Sequence, residues 1–334
     1  MISQADPEAA QVAVSIVNYR TAEMVIAALP ALLAELEGLA RAAVLIVDNA
    51  SPGDDADRLE AHVAAEGLAA RVRVIRSPRN GGFAAGNNLA FAAYRELGWT
   101  PDAVLLLNPD AEMRPGALRA LLAVMAAEPR AGIAGGRLEN PDGSTWVAAF
   151  NFPTALSEFA AGTGIGALIR RWPVLIPDAE APRPVDWVSG AAMLVRREVI
   201  EALGGMDEGY FLYFEEIDFM RAAAAAGWQS WHVPVARVRH DPGGSTGMVD
   251  GRPREGRMPD YWFASWRRYF AKAHGPTGAR AAAAAKLAGM AVGRLQRGLR
   301  GRHYDTPTGF WGDFLRKVLL GRMNRARFAG GSNC

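Results

Sequence analysis

The 334-residue sequence predicts an α/β fold, a mostly parallel sheet with helices on both faces, followed by a basic helical extension. Three observations carry this. Short, largely apolar runs alternate with amphipathic stretches through the first 130 residues, the pattern of strands buried on both faces and joined by helices. Polar residues and glycines follow the apolar runs directly, where open α/β sheets hold their ligands. Charge is partitioned: residues 251–334 hold 17 Lys+Arg against 4 Asp+Glu, a net +13, whereas residues 1–250 carry a net −11. The expected organisation is an acidic α/β body over 1–250 and a basic extension over 251–334.

Residues 12–17 form the first apolar run and end at Asn18, Tyr19 and Arg20, as a buried strand does. A helix is expected from Thr21 to about Leu39, interrupted in pattern by Pro30. Residues 43–47 make the second strand, stopped by the turn that begins at Asp48, and a helix runs to about Glu66. Residues 72–75 are the third strand. They lead to Asn80, Gly81 and Gly82 and a helix over about 84–97. Residues 103–107 are the fourth strand, closed by Asn108, Pro109 and Asp110, with a helix from Pro115 to about Glu128. Beyond Gly132 a strand and a tight turn are expected near 135–143, an irregular Gly- and Pro-rich stretch over 150–185, a strand over 185–195 and a helix over 197–203. A further strand is expected over 231–238. The tail then reads as helical and aromatic.

Composition excludes several classes. Half of the residues are hydrophobic and 22% are charged, a globular balance far from that of disordered chains. The one cysteine, Cys334, rules out an intrachain disulfide framework or a cysteine metal cluster and fits a reducing compartment. The first residues lack a basic start and an apolar run, so no signal peptide is expected. No uncharged apolar run is long enough to span a bilayer. The expected location is the cytoplasm or the inner face of the cell membrane.

Asp110, on a loop after a buried strand, suits a hard divalent cation, although Asp and Pro also end strands as turn residues. Asp48 stands at a strand end and is fit either to accept hydrogen bonds from a ribose or base or simply to close its turn. The glycines after Asn80 allow close approach to a phosphate at a helix start, or meet a need for positive φ; they do not form the dinucleotide fingerprint. Glu215, Glu216 and Asp218 lie within four residues among aromatics. A helix dipole explains one or two acids at such a place, but carboxylates beside apolar rings are costly unless paired or functional. His240 is either a ligand of metal or diphosphate or a packed histidine, and the Gly-Gly-Ser loop after it suits closure on a phosphate.

Six segments and one histidine, in order over 12–247, resemble the family 2 glycosyltransferases of the GT-A fold, in the bacterial rhamnosyltransferase-like branch. They are 14–19 (VSIVNY), 46–51 (IVDNAS), 80–87 (NGGFAAGN), 106–110 (LLNPD), 187–192 (WVSGAA), 211–218 (FLYFEEID) and His240. The resemblance implies a Rossmann-like GT-A domain with donor-nucleotide contacts at Asn18, Tyr19, Asp48, Asn80, Gly82 and Asn108. It implies a Mg²⁺ or Mn²⁺ site at Asp110 and His240. Here the metal motif is Asn-Pro-Asp, with Asn108 in place of its first acid. Glu216 stands where the family has its catalytic Asp. Being one methylene longer, it implies either a more distant acceptor or a base role shared with Asp218. The implied reaction is inverting transfer from a nucleotide-sugar, with dTDP-rhamnose as first choice and UDP- or GDP-sugars as others, to a glycan or lipid-linked acceptor in cell-surface polysaccharide synthesis.

A cationic, aromatic tail is read as binding an anionic membrane surface or as a helical cap packing its rings on the body. Nucleic acid is disfavoured by the acidic body and by the lack of a helix-turn-helix or zinc-finger pattern. Two other readings, a nucleotide-binding oxidoreductase and a non-catalytic scaffold, are weakened by the absent fingerprint and by the presence of Asp110 and Glu216. Oligomeric state is not legible.

Overall fold

The computed structural model describes Ile2, residues 9–241 and 256–321, and the backbone of 248–249 and 252–253. The first half of the chain alternates as expected: β1 (Gln11–Asn18), α1 (Ala22–Glu35), β2 (Arg41–Asp48), α2 (Asp55–Ala65), β3 (Val72–Arg76), α3 (Gly82–Glu96) and β4 (Ala103–Leu107). Then come β5 (Ala111–Met113), α4 (Ala117–Ala127), β6 (Ala131–Glu139), β7 (Thr145–Trp146) and β8 (Ala149–Phe150). Helices α5 (Ala155–Thr163) and α6 (Gly166–Arg171) precede β9 (Arg183–Val185), β10 (Trp187–Val188), β11 (Ala192–Arg196) and α7 (Arg197–Leu203). The rest is α8 (Glu215–Ala225), β12 (Gln229–His240), α9 (Asp260–Leu299) and α10 (Phe310–Phe314).

The main sheet runs β3-β2-β1-β4-β11-β6-β12-β5. Strands β3, β2, β1 and β4 are parallel to one another. β11 is antiparallel to β4 and β6, β12 is parallel to β6, and β5 is antiparallel to β12. Six strands therefore share one direction and end on one edge. Strand periodicity divides the core. Val12, Val14 and Ile16 of β1 face α1, α2 and α4, while Ala13 faces a second apolar cluster with residues of α3, α7 and α8.

The structure differs from the sequence expectation in four places. Helix α1 accepts Pro30 and stops at Glu35, whose buried carboxylate accepts the N–H groups of Gly116 (2.6 Å) and Leu118 (2.8 Å) at the start of α4. The stretch expected to be irregular contains α5 and α6. Thr154 and Ser157 form the capping box of α5, with Ser in the place where Glu or Gln usually signals one. The single strand expected over 185–195 is three strands, interrupted at Ser189–Ala191 beside Glu216. Finally, the aromatics of the tail face inward. Phe263, Trp266, Tyr269 and Phe270 are fully buried in a third cluster with Tyr210, Ile217 and Phe314. The first part of α9 is thus a cap on the body, and a sharp turn at Gly275 (φ 73°) before Pro276 separates it from the rest. Residues 242–247, with their Gly-Gly-Ser loop, and Cys334 lie outside the described residues.

Candidate active site

A cleft of about 590 Å³ opens on the edge where the parallel strands end. Tyr19, Asn80, Gly82, Asn108, Asp110, Glu216 and His240 line it together, although they come from five separate segments. Asn18 and Asp48 lie one layer beneath, buried and opposed in register at the ends of β1 and β2. Asn18 Nδ2 donates to Asp48 Oδ1 (2.8 Å), and Asn18 Oδ1 accepts from the N–H (3.2 Å) and hydroxyl (2.8 Å) of Thr21. Ser51 N–H donates to Asp48 Oδ2 (3.2 Å), so this polar floor is held by its own hydrogen bonds.

Asn49, which the sequence reading did not single out, links the floor to the glycine turn. Its Nδ2 donates to Asn80 Oδ1 (3.0 Å) and to the Gly82 carbonyl (3.1 Å), while Gly81 N–H donates back to Asn49 Oδ1 (3.3 Å). Gly82 has φ +82°, and a Cβ there would lie 1.8 Å from the Phe211 carbonyl oxygen. Phe83 N–H donates to that same oxygen (3.2 Å). The glycine turn is therefore required by contact with the aromatic-acid segment, which joins the two sides of the cleft.

On the opposite side, Asp110 Oδ1 stands 3.4 Å from His240 Nε2, and the Asp110 side chain is 2% exposed. His240 Nδ1 is buried with no hydrogen-bond partner among the described residues. Strand pairing sets this geometry: β5 follows Asp110 and pairs with the end of β12, placing Ala111 opposite His240.

Tyr213 and Phe214 adopt left-handed φ values of 69° and 70°, a rare conformation for aromatic residues that costs on the order of 1–3 kcal/mol each. The surroundings enforce it. Phe214 packs on Tyr269 (5.6 Å) and Trp262 (6.0 Å), and Ser265 Oγ donates to the Leu212 carbonyl (2.9 Å). The chain then enters α8 with Glu215 and Glu216 lining the cleft. Each has an Oε2 atom buried without a hydrogen-bond partner among the described residues. Burial pushes the Glu215 carboxyl well above its usual range, and the neighbouring Glu216 charge adds to this. Burial also raises Glu216. The Glu216 side chain lies over Gly190, where an added Cβ would meet it in ordinary contact at 3.5 Å.

Asp218 is not brought to the cleft. It faces α9, where Lys272 donates to it and also to Asp207 Oδ2 (2.6 Å). Arg268 donates to both Asp207 oxygens (2.7 and 3.1 Å). For Asp207, burial favours the neutral acid, but the hydrogen bonds from Arg268 and Lys272 outweigh it and lower its pKa to about 2. The expectation that Asp218 shares the cleft with Glu216 is thereby corrected: two residues further on, about 200° around α8, it points away from Glu216 and into an ion pair with Lys272. Tyr261 and Trp146 also line the cleft, and Phe211 (5.2 Å) and Tyr213 (6.2 Å) pack on Tyr261. The sequence signal for Tyr261 was its place in the aromatic tail, which gave no hint of the cleft.

Known proteins agree with this architecture. The chain is 34% identical over 187 residues to N-acetylglucosaminyl-diphospho-decaprenol L-rhamnosyltransferase of Mycobacterium tuberculosis, a match covering 53% of this chain and 61% of that protein. It is 29% identical over 164 residues to the rhamnosyltransferase WbbL of Escherichia coli, covering 48% of this chain and 60% of that one. These matches span about six-tenths of the length of the curated relatives. Among solved structures, the mannosyltransferase PcManGT from Pyrobaculum calidifontis, in complex with GDP-Man and Mn²⁺, superposes with a TM-score of 0.55 at 14% identity, over 95% of this chain and 81% of that one. GalNAc-T7 with UDP, GalNAc and Mn²⁺ gives a TM-score of 0.54 at 14% identity, over 94% of this chain and 57% of that one. The fold is that of GT-A glycosyltransferases. The profile of the family described as glycosyltransferase like family 2 matches residues 9–252, and the chain belongs to that family.

Proposed function

We propose that the protein is an inverting glycosyltransferase that moves a sugar, L-rhamnose from dTDP-rhamnose as first choice, to a hydroxyl of a lipid-linked glycan acceptor in cell-surface polysaccharide synthesis. The observation that carries the reading is that Glu216 lines the same cleft as Asp110 and His240. The rhamnosyltransferase relatives support the sugar, and the name of the mycobacterial relative supports a lipid-linked acceptor. Residues 1–250 act as the catalytic domain, and the extension over 251–334 completes its cleft through Tyr261.

In this reading the Asn18–Asp48 floor with Tyr19, Asn80, Gly82 and Asn108 receives the nucleoside end of the donor. Glu216 accepts the proton of the acceptor hydroxyl as its oxygen attacks the anomeric carbon from the face opposite the departing diphosphate. One carbon–oxygen bond forms while another breaks, which inverts the centre. A raised carboxyl pKa brings the base nearer to the hydroxyl it must deprotonate. Asp110 and His240 stand side by side, and a carboxylate with a second side-chain donor, completed by phosphates and water, fits a divalent cation. Mg²⁺ or Mn²⁺ held there would neutralise charge on the leaving diphosphate.

Thermal stabilisation by dTDP-rhamnose, UDP-N-acetylglucosamine and GDP-mannose, each with and without Mn²⁺, tests the reading. dTDP-rhamnose with Mn²⁺ is expected to stabilise most, by about 2.7 kcal/mol at a hundredfold excess over Kd. Asp110→Asn is expected to remove the Mn²⁺ increment. Absence of stabilisation by every donor overturns the proposal.

A further inference from the structure

We propose that the distal part of α9 docks flat on an anionic lipid bilayer through an apolar stripe that the fold leaves open. Ala281, Ala284, Ala288, Val292, Leu295 and Leu299 are all exposed and follow one another at intervals of three or four residues. At 3.6 residues per turn they form one continuous stripe, about 27 Å long at 1.5 Å per residue. Exposure rises outward along it, from 41% at Val292 to 66% at Leu295 and 81% at Leu299. The opposite side of the helix is packed: Gly289 lies against the Phe159 backbone of α5, and Ala282, Ala283, Leu287 and Met290 are buried. The stripe is therefore not a core face awaiting α5.

Charge identifies the occupant. Residues 261–304 contain nine Lys+Arg and no Asp or Glu. At about 100° per residue, Arg280 and Arg294 flank one side of the stripe and Arg300 the other. All three are exposed and have no carboxylate partner among the described residues. An apolar face bordered by arginines, whose stems lie along the hydrocarbon while their heads reach the phosphates, is the arrangement that rests in a membrane interface. A second copy of this helix would set arginine against arginine with no acid to relieve it. No helix among the described residues is long and apolar enough to cross a membrane, so the contact is parallel to the surface.

The inference deepens the lipid-linked acceptor in the proposed function, but its test involves neither donor nor acceptor, so the two readings fail separately. The full chain is floated with vesicles of three parts phosphatidylcholine to one part phosphatidylglycerol, and with pure phosphatidylcholine vesicles. Strong partition onto the anionic vesicles, weakening as salt rises, is expected. Leu295→Glu with Leu299→Glu is expected to lower it by about tenfold or more without a change in Tm, since both side chains are exposed. Arg294→Gln with Arg300→Gln is expected to lower partition onto the anionic vesicles only. Equal partition of wild type and the double-Glu variant overturns the proposal. So does a dimer in light scattering that the double-Glu variant dissolves while vesicles are not bound, which makes the stripe a contact between copies.

Discussion

Helix α8 presents its acids to two different surroundings within four residues. Glu215 and Glu216 line the cleft with buried oxygens and no cation beside them among the described residues, and burial raises both carboxyls. Asp218, one turn on, is equally shielded from water but meets Lys272, which also holds Asp207. Burial still raises Asp218, and the lysine works against it. The difference teaches that a buried carboxylate becomes a structural anchor or a reactive group according to whether a counter-cation is built beside it. Here the cation comes from the tail, so the extension holds the acid segment in place while leaving its cleft-facing pair uncompensated.

Three experiments break or sharpen this contrast. Glu216→Gln is expected to lower turnover by about 10²–10⁴-fold, the usual contribution of a general base, while calorimetry shows nucleotide affinity unchanged. In the wild type, the acidic limb of the rate profile should lie above the ordinary carboxylate range. Unchanged turnover in the Gln variant removes the functional half of the contrast.

Lys272→Met leaves Asp218 buried without its cation, at an expected cost of about 3–5 kcal/mol in urea denaturation. Adding Asp218→Asn should recover part of that loss, because the charge that lost its partner is then gone. A single variant as stable as wild type means that the ion pair is no anchor.

The smallest effect concerns Glu215. Its folded-state carboxyl is raised above the unfolded value, so its favourable contribution exists below the unfolded range and is lost as pH rises through the folded value. Asp207 has the opposite sign. Its stabilisation is present above its unfolded value and is lost as pH falls through about 2. Glu215→Gln should therefore raise Tm by about 1–3 °C at neutral pH, with the gain vanishing in acid. A gain that persists in acid means that packing, not charge, is responsible.

The strand ends were readable because apolar runs stop where polar residues start. Asn18, Asp48 and Asp110 each follow such a run, and the parallel order brings them to one edge. Asn49 was not distinguishable from its turn neighbours, because its role comes from a hydrogen bond to Asn80, 31 residues away. Helix α5 was hidden because Gly, Ala and Ser give weak local signals, and its stability comes from packing against α9 over a hundred residues later.

By itself the sequence determined the α/β alternation, the edge on which polar groups gather and the charge division between body and tail, because these depend on periodicity and composition along the chain. Only the tertiary structure decided which acid of α8 faces the cleft, that the aromatics of the tail turn inward, and that an apolar stripe on distal α9 stays open. Those outcomes rest on contacts between residues distant in sequence, such as Lys272 with Asp218 and Phe214 with Tyr269, whose partners no local pattern names.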